Sequence, residues 1–163
     1  MSGLQLRRPV HLLALGGGLG LAPWAPGTFG TLAALPIAAA LAAAPAGVYP
    51  LATVAAIAAG VGICGRAAAD AGVDDHPAIV WDEIAGFLVA ALPLALGVQG
   101  VHPVVDGAVL FLLFRLFDGA KVGPIGWLDR HLHGGVGIMA DDLAAGAATA
   151  AVWWAGTALI PAA

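Results

Sequence analysis

The chain has 163 residues, of which 61% are hydrophobic and only 10% are charged. Soluble domains average about 45–50% apolar and about 25% charged residues, so this composition argues against an ordinary soluble enzyme and excludes a disordered chain. The net charge of −4 provides no basic surface for nucleic acid, and the length fits one domain, residues 1–163.

Long uncharged stretches predict helices that cross a membrane. Residues 9–65, 84–105 and 143–163 contain no Asp, Glu, Lys or Arg, and a membrane-spanning helix needs about 20 mostly apolar residues. Because Pro and Gly residues divide the first two stretches, we predict an all-α, polytopic membrane helical bundle of about five spans, with four possible. The predicted spans are residues 29–44, 49–64, 84–100, 104–117 and 143–160. An Ala-rich soluble helical bundle is the alternative fold.

The order of the five spans gathers the polar segments on one face of the membrane. Successive spans alternate in direction, so residues 16–28, 66–83 and 115–142 return to the same side. That side carries nine of the ten acidic residues and all six Lys and Arg residues. The positive-inside rule makes it the cytoplasmic side. Polar groups gathered on one face are typical of an enzyme that works at the membrane surface, whereas transporters more often bury ionisable groups at mid-span.

A glycine-rich segment leads into the first predicted span. Residues 16–31 read GGGLGLAPWAPGTFGT, and backbone N–H groups before a helix N-terminus form an anion site. Gly27, Thr28 and Thr31 are therefore candidate phosphate-binding residues. A tight entry turn, with Thr28 as the helix N-cap, is the structural alternative.

Two pairs of adjacent acids head the third and fifth predicted spans: Asp82-Glu83 and Asp141-Asp142. Helix capping explains one acid at each helix start, but it does not explain paired acids beside lipid, where like charges repel and lose hydration. A divalent cation would resolve both problems. Ligands that are all oxygen favour Mg²⁺, Mn²⁺ or Ca²⁺ over Zn²⁺.

Five motifs, in order and spacing, resemble the phosphatidylglycerophosphatase A family. They are GGGLGLAPWAPGTFGTLAALP, DHPAIVWDEIAG, FRLFDGAK, PIGWLDR and GGVGIMADDLAAG, and together they span about residues 16–150. The resemblance implies a Mg²⁺-dependent lipid phosphatase of the bacterial inner (cytoplasmic) membrane. Its expected partners are membrane lipids and its substrate, phosphatidylglycerophosphate, which is converted to phosphatidylglycerol and phosphate at the cytoplasmic face.

Candidate site residues follow from the motifs and this chemistry, because cations would reverse the local negative charge that repels an anionic lipid. The candidate metal ligands are Asp82, Glu83, Asp141 and Asp142, with Asp118 and Asp129 as further catalytic candidates. The candidate phosphate-binding residues are Arg115, Lys121 and Arg130, assisted by Gly27, Thr28 and Thr31. The nucleophile, a carboxylate or a metal-bound water, stays open.

Two other functions use membrane-face carboxylates. A phosphatidyltransferase of the CDP-alcohol kind would show an Asp-Gly-x-x-Ala-Arg run, which Asp118-Gly119-Ala120-Lys121 begins but does not continue. A small ion carrier could use the same acidic pairs. Release of phosphate from the lipid separates the phosphatase from both.

Overall fold

The computed structural model describes residues 3–121 and 123–159. The secondary structure of these residues is entirely helical, which confirms the predicted all-α class. A 3₁₀ segment, Gly16–Leu21, lies between the first two helices. The α-helices are α1 (Pro9–Ala14), α2 (Pro26–Ala42), α3 (Val48–Ala71), α4 (Trp81–Ala90), α5 (Leu92–Ala95), α6 (Pro103–Ala120), α7 (Pro124–His131) and α8 (Gly134–Thr157).

The number of membrane spans is only partly supported. Within the described residues, α3 and α8 are long and apolar enough to cross a membrane, whereas α2 is shorter. Both long helices also present large apolar side chains outward, such as Leu51 and Val54 on α3. The structure therefore fits a membrane-associated helical protein, but it does not confirm five spans.

The third predicted span, residues 84–100, is not one helix. It divides into α4, of ten residues, and α5, of four. Proline has no N–H, and its ring clashes with the carbonyl four residues earlier, so Pro93 interrupts the helical hydrogen bonds between the two helices. At 1.5 Å per residue, α4 is about 15 Å long, half the thickness of a bilayer core.

Helix α8 starts earlier than the predicted fifth span, residues 143–160. It begins at Gly134, so Asp141 and Asp142 lie two turns inside the helix, and its first turn has no acidic residue. The prediction that this acidic pair heads the helix is therefore wrong. The sequence misled because Gly134, Gly135 and Gly137 indicate a loop, although Gly135 packs against the backbone of Val61 on α3 and Gly137 against the backbone of Leu132. The predicted last residue, 160, lies outside the described residues.

Small residues bring the other helices close to α8, which occupies the centre of the bundle. A Cβ at Gly86 of α4 would clash with the backbone of Asp142 on α8. In the same contact, a Cβ at Gly146 of α8 would clash with the carbonyl of Gly86. On α3, Gly60 faces Met139 of α8 in the same way. In lipid the hydrophobic effect does not drive helices together, so their association depends on close packing, which small residues permit.

The glycine-rich segment packs against the residues before α4. Gly16, Gly17 and Gly18 all have positive φ, a backbone conformation that glycine adopts readily. The N–H of Val80 donates a hydrogen bond to the carbonyl of Ala14, 2.8 Å away, and a Cβ at Gly20 would clash with the backbone of Ala78. This packing places the start of α2 beside the start of α4.

Candidate active site

Five carboxylates from three helices meet on one face of the bundle. One oxygen from each of Asp82, Glu83 and Asp142 lies within 4.8 Å of the others, and the same is true of Asp118, Asp141 and Asp142. Asp142 belongs to both groups, so it joins them into one acidic cluster. Four members are the predicted metal ligands, and the fifth, Asp118, is the further candidate from the FDG motif.

Only one of the three helices has a local reason for its acidic residues. Asp82 and Glu83 occupy the first turn of α4, where the helix dipole favours negative charge. Asp118 lies in the last turn of α6, where the dipole disfavours it. Asp141 and Asp142 are inside α8 and gain nothing from capping. Helix capping therefore accounts for the position of one pair only.

The acidic cluster is buried and incompletely hydrogen-bonded. Asp82, Asp141 and Asp142 are at most 8% exposed. Among the described residues, Oδ1 of Asp82 and Oε2 of Glu83 are buried oxygens without a hydrogen-bond partner. Burial raises the pKa of Glu83 to about 7 and, reinforced by the neighbouring Glu83 carboxylate, raises the pKa of Asp82 well above its usual range. Burial therefore favours the neutral form of these two carboxyl groups unless a cation is bound.

Arg115 and the start of α2 lie beside the acidic cluster. Nη1 of Arg115 is 2.5 Å from Oδ2 of Asp118. A Cβ at Gly27 would overlap Oε1 of Glu83 and would lie 3.3 Å from Nη1 of Arg115. The structure therefore brings two candidate phosphate-binding residues, Gly27 and Arg115, to the carboxylates.

Lys121 holds two carboxylates together. Its Nζ donates to Asp129 and, at 2.6 Å, to Asp141. Partial burial lowers the pKa of Lys121, but the hydrogen bonds to Asp129 and Asp141 outweigh that effect and hold the pKa above its ordinary value. Asp129 is 39% exposed and is absent from the two groups of converging carboxylates. Asp129 therefore lies at the edge of the site and is connected to Asp141 through Lys121.

The remaining candidate residues have other contacts or an outer position. Thr31 is fully buried, and its hydroxyl donates to the carbonyl of Gly27 at 2.9 Å, so it supports the start of α2. Helix α2 begins at Pro26 with Ala25 as its N-cap, so the alternative of Thr28 as the N-cap is wrong. Thr28 is in the first turn, and its N–H donates to Ala25. Arg130 is exposed near the end of α7.

Sequence reasoning missed the residues that extend the site on the outer side of Asp141. A polar cavity of about 200 Å³ lies there, and Asp74, Asp75 and His133 line it together with Asp129 and Asp141. The sequence signal was available, because Asp75 is the first residue of the DHPAIVWDEIAG motif and Asp74 directly precedes it. This adjacent pair was overlooked because acids in a polar loop outside the predicted spans usually face solvent.

Comparison with known proteins gives a consistent family assignment. The sequence profile of the family described as phosphatidylglycerophosphatase A matches residues 12–157. The chain is 42% identical over 151 residues to phosphatidylglycerophosphatase A of Escherichia coli (strain K12), covering 93% of this chain and 85% of that protein. It is 39% identical over 144 residues to the protein of the same name from Haemophilus influenzae, covering 87% and 85%. No solved structure matches the chain.

The profile covers well over half of the chain, and both relatives are similar along most of their own length. The chain therefore belongs to the phosphatidylglycerophosphatase A family. The resemblance of the five sequence motifs to that family is confirmed.

Proposed function

We propose that this member of the phosphatidylglycerophosphatase A family hydrolyses the terminal phosphate monoester of phosphatidylglycerophosphate, with Mg²⁺ held by the acidic cluster. The products are phosphatidylglycerol and inorganic phosphate. Family membership supports the phosphatase reaction. The observation that carries the metal proposal is the convergence of five carboxylates around Asp142, with two buried oxygens that find no hydrogen-bond partner among the described residues.

The residues of the acidic cluster fit a magnesium ion. All donors are carboxylate oxygens, which Mg²⁺ prefers, and Mg²⁺ usually binds one or two carboxylates together with water and substrate phosphate. Asp82, Glu83 and Asp142 would hold the ion, and Asp118 with Asp141 could extend the site around the shared Asp142. A bound Mg²⁺ polarises phosphoryl oxygens and lowers the pKa of bound water.

Arg115 and the start of α2 would bind the phosphate group. A guanidinium recognises phosphate oxygens with two parallel hydrogen bonds, and Arg115 lies between Asp118 and Gly27. The positive end of the α2 dipole adds a favourable field there. Lys121 would keep Asp141 and Asp129 in place, and Arg130 would attract the anionic headgroup from outside.

We also propose that the protein is a multi-pass protein of the bacterial inner membrane with the acidic cluster on the cytoplasmic side. Helices α3 and α8, which could each cross a membrane, support this placement. The two ends of α6 also differ. Arg115 and Asp118 lie near its C-terminal end, whereas Asp106 near the other end accepts hydrogen bonds from Gly100 and Val101.

Phosphate release tests the proposed function. The purified protein in detergent should release inorganic phosphate from phosphatidylglycerophosphate, should stop when EDTA exceeds Mg²⁺, and should recover when Mg²⁺ is restored. Full activity in excess EDTA after exhaustive dialysis would contradict the metal proposal. Absence of phosphate release under every metal condition, or transfer of the phosphatidyl group to an alcohol, would contradict the phosphatase itself.

A further inference from the structure

An apolar groove lies between α2, α4 and α6. Its volume is about 610 Å³, within the roughly 300–1,000 Å³ of small-molecule sites. Leu35 and Ala38 of α2, Phe87 and Ala91 around the end of α4, and Leu110 of α6 line it. We call this cavity the α2–α6 groove.

The charged side chain that lines the α2–α6 groove is already hydrogen-bonded and is not available to a polar ligand. Asp106 lines the groove, but its carboxylate accepts hydrogen bonds from the backbone N–H groups of Gly100 at 2.9 Å, Val101 at 3.1 Å and His102 at 3.4 Å. Apart from Gln99, the other lining residues are apolar or small. The groove therefore suits a hydrocarbon chain.

The three helices that form the groove also lead to the acidic cluster. Phe87 is one turn beyond Glu83 on α4, Leu35 is two turns beyond Gly27 on α2, and Leu110 is five residues before Arg115 on α6. At 1.5 Å per residue, the groove lining begins about 6–12 Å along these helices from the cluster. In phosphatidylglycerophosphate, two glycerol units and a second phosphate separate the terminal phosphate from the acyl chains, so its polar headgroup would occupy that interval.

We propose that the α2–α6 groove binds one acyl chain of the phospholipid substrate while its terminal phosphate lies at the acidic cluster. The inference rests on the proposed function and adds the part of the site that recognises the lipid. A chain is already surrounded by hydrocarbon in the bilayer, so the groove contributes position more than affinity. It would hold the headgroup in register with Arg115 and Asp142.

Two phenylalanine substitutions on α2 test the groove. Ala39 and Ala40 are both exposed, but only Ala39 lines the groove, so Ala39→Phe fills it and Ala40→Phe is the matched control. In mixed micelles with Mg²⁺, we expect Ala39→Phe to raise KM for the dioleoyl substrate by roughly fivefold or more, the size of an overpacking effect. Activity on a dihexanoyl substrate, whose chains are too short to fill the groove, should stay unchanged.

Each other kinetic result overturns the proposal in a different way. Equal kinetics of Ala39→Phe and Ala40→Phe on the dioleoyl substrate would show that no chain lies in the groove. Equal loss on both substrates would show a general structural effect. If the unmodified protein releases phosphate from neither substrate, the proposed function fails and the inference falls with it.

Photo-crosslinking separates the substrate from bulk lipid. A phosphatidylglycerophosphate with a mid-chain diazirine should label peptides from α2 and α6, and Ala39→Phe should reduce that labelling while Ala40→Phe should not. Equal labelling by a phosphatidylcholine probe would show that any bilayer lipid occupies the groove, which contradicts substrate binding.

Discussion

At the residue scale, Asp142 has the strongest connection to the proposed chemistry. It is 3% exposed, lies two turns inside α8 and belongs to both groups of converging carboxylates. A buried carboxylate without a cationic partner is costly, and helix capping cannot offset the cost at this position. The arrangement therefore supports the proposed cation at this site.

Asp142→Asn should reduce phosphate release by about 100-fold or more, because even residues that only orient metal ligands contribute about 10–100-fold. The amide keeps the size of the side chain but removes its charge, so high Mg²⁺ should restore part of the activity. Initial rates across a Mg²⁺ titration measure both effects.

Asp106→Asn is the matched control, since Asp106 is equally buried but bonds to backbone N–H groups. It should lower the melting temperature while its Mg²⁺ dependence stays that of the unmodified protein. Normal turnover of Asp142→Asn at limiting Mg²⁺ would contradict the role of Asp142 as a ligand.

Lys121 makes a second residue-scale prediction, about pH. Its pKa is raised in the folded protein, so the stability from its ion pairs is present below the ordinary lysine pKa and is lost only as pH rises through the folded value. Lys121→Gln should therefore lower the melting temperature by the same amount at pH 7 and pH 9. Arg130→Gln, at an exposed side chain, should change stability by about 0.5 kcal/mol or less. A deficit of Lys121→Gln that disappears by pH 9 would contradict this account.

At the element scale, the contact between the starts of α2 and α4 decides where the glycine-rich segment acts. Positive φ at three glycines lets that segment lie against residues 78–80, and Gly27 then meets the side chain of Glu83. The segment thus has a structural role, since it brings the α2 N-terminus to the carboxylates. Phosphate binding by the same N-terminus depends on that placement.

Gly27→Ala should lower activity by about 100-fold, the effect expected from a misplacement of about 1 Å. The new Cβ would displace Glu83 and crowd Arg115, but the flexible end of Glu83 can move, so the protein should still fold. Gly62→Ala on α3, where a Cβ meets nothing within 4 Å, should keep full activity and gain about 0.4–1 kcal/mol. Steady-state rates and melting curves measure the pair, and equal activity of the two variants would contradict the role of Gly27.

At the scale of the whole molecule, α6 separates two ends with different chemistry. Asp106 and Asp118 are twelve residues apart on this helix, about 18 Å at 1.5 Å per residue. Asp118 joins the acidic cluster, whereas the carboxylate of Asp106 accepts hydrogen bonds from the turn before α6. In the proposed topology, the two ends of α6 point toward opposite faces of the bilayer.

Cysteine labelling tests that orientation. In a Cys64→Ala background, Asp74→Cys and Trp127→Cys should resist an impermeant thiol reagent in intact cells and react in inverted vesicles, and Val101→Cys should show the reverse. All three residues are exposed, whereas Cys64 is buried. Labelling of Asp74→Cys and Val101→Cys from the same side would contradict the proposed topology.

The sequence by itself determined the helical class, the family and most of the acidic cluster. Low charge and long apolar stretches leave helices as the way to satisfy backbone hydrogen bonds in lipid, and every regular element among the described residues is a helix. Carboxylates that are adjacent in the chain, such as Asp82-Glu83 and Asp141-Asp142, indicate a functional site because the repulsion between them has to be offset.

Only the tertiary structure decided which acids meet and where the helices end. Asp118 joins Asp141 and Asp142, whereas Asp129 stays at the edge, because close packing of α4, α6 and α8 sets distances that sequence spacing does not encode. The glycines at the start of α8 indicate a loop in the sequence, but they lie in the helix, and Gly135 there meets the backbone of α3 so closely that a side chain would not fit. Local propensity is a weak constraint, and packing overrides it where backbones touch.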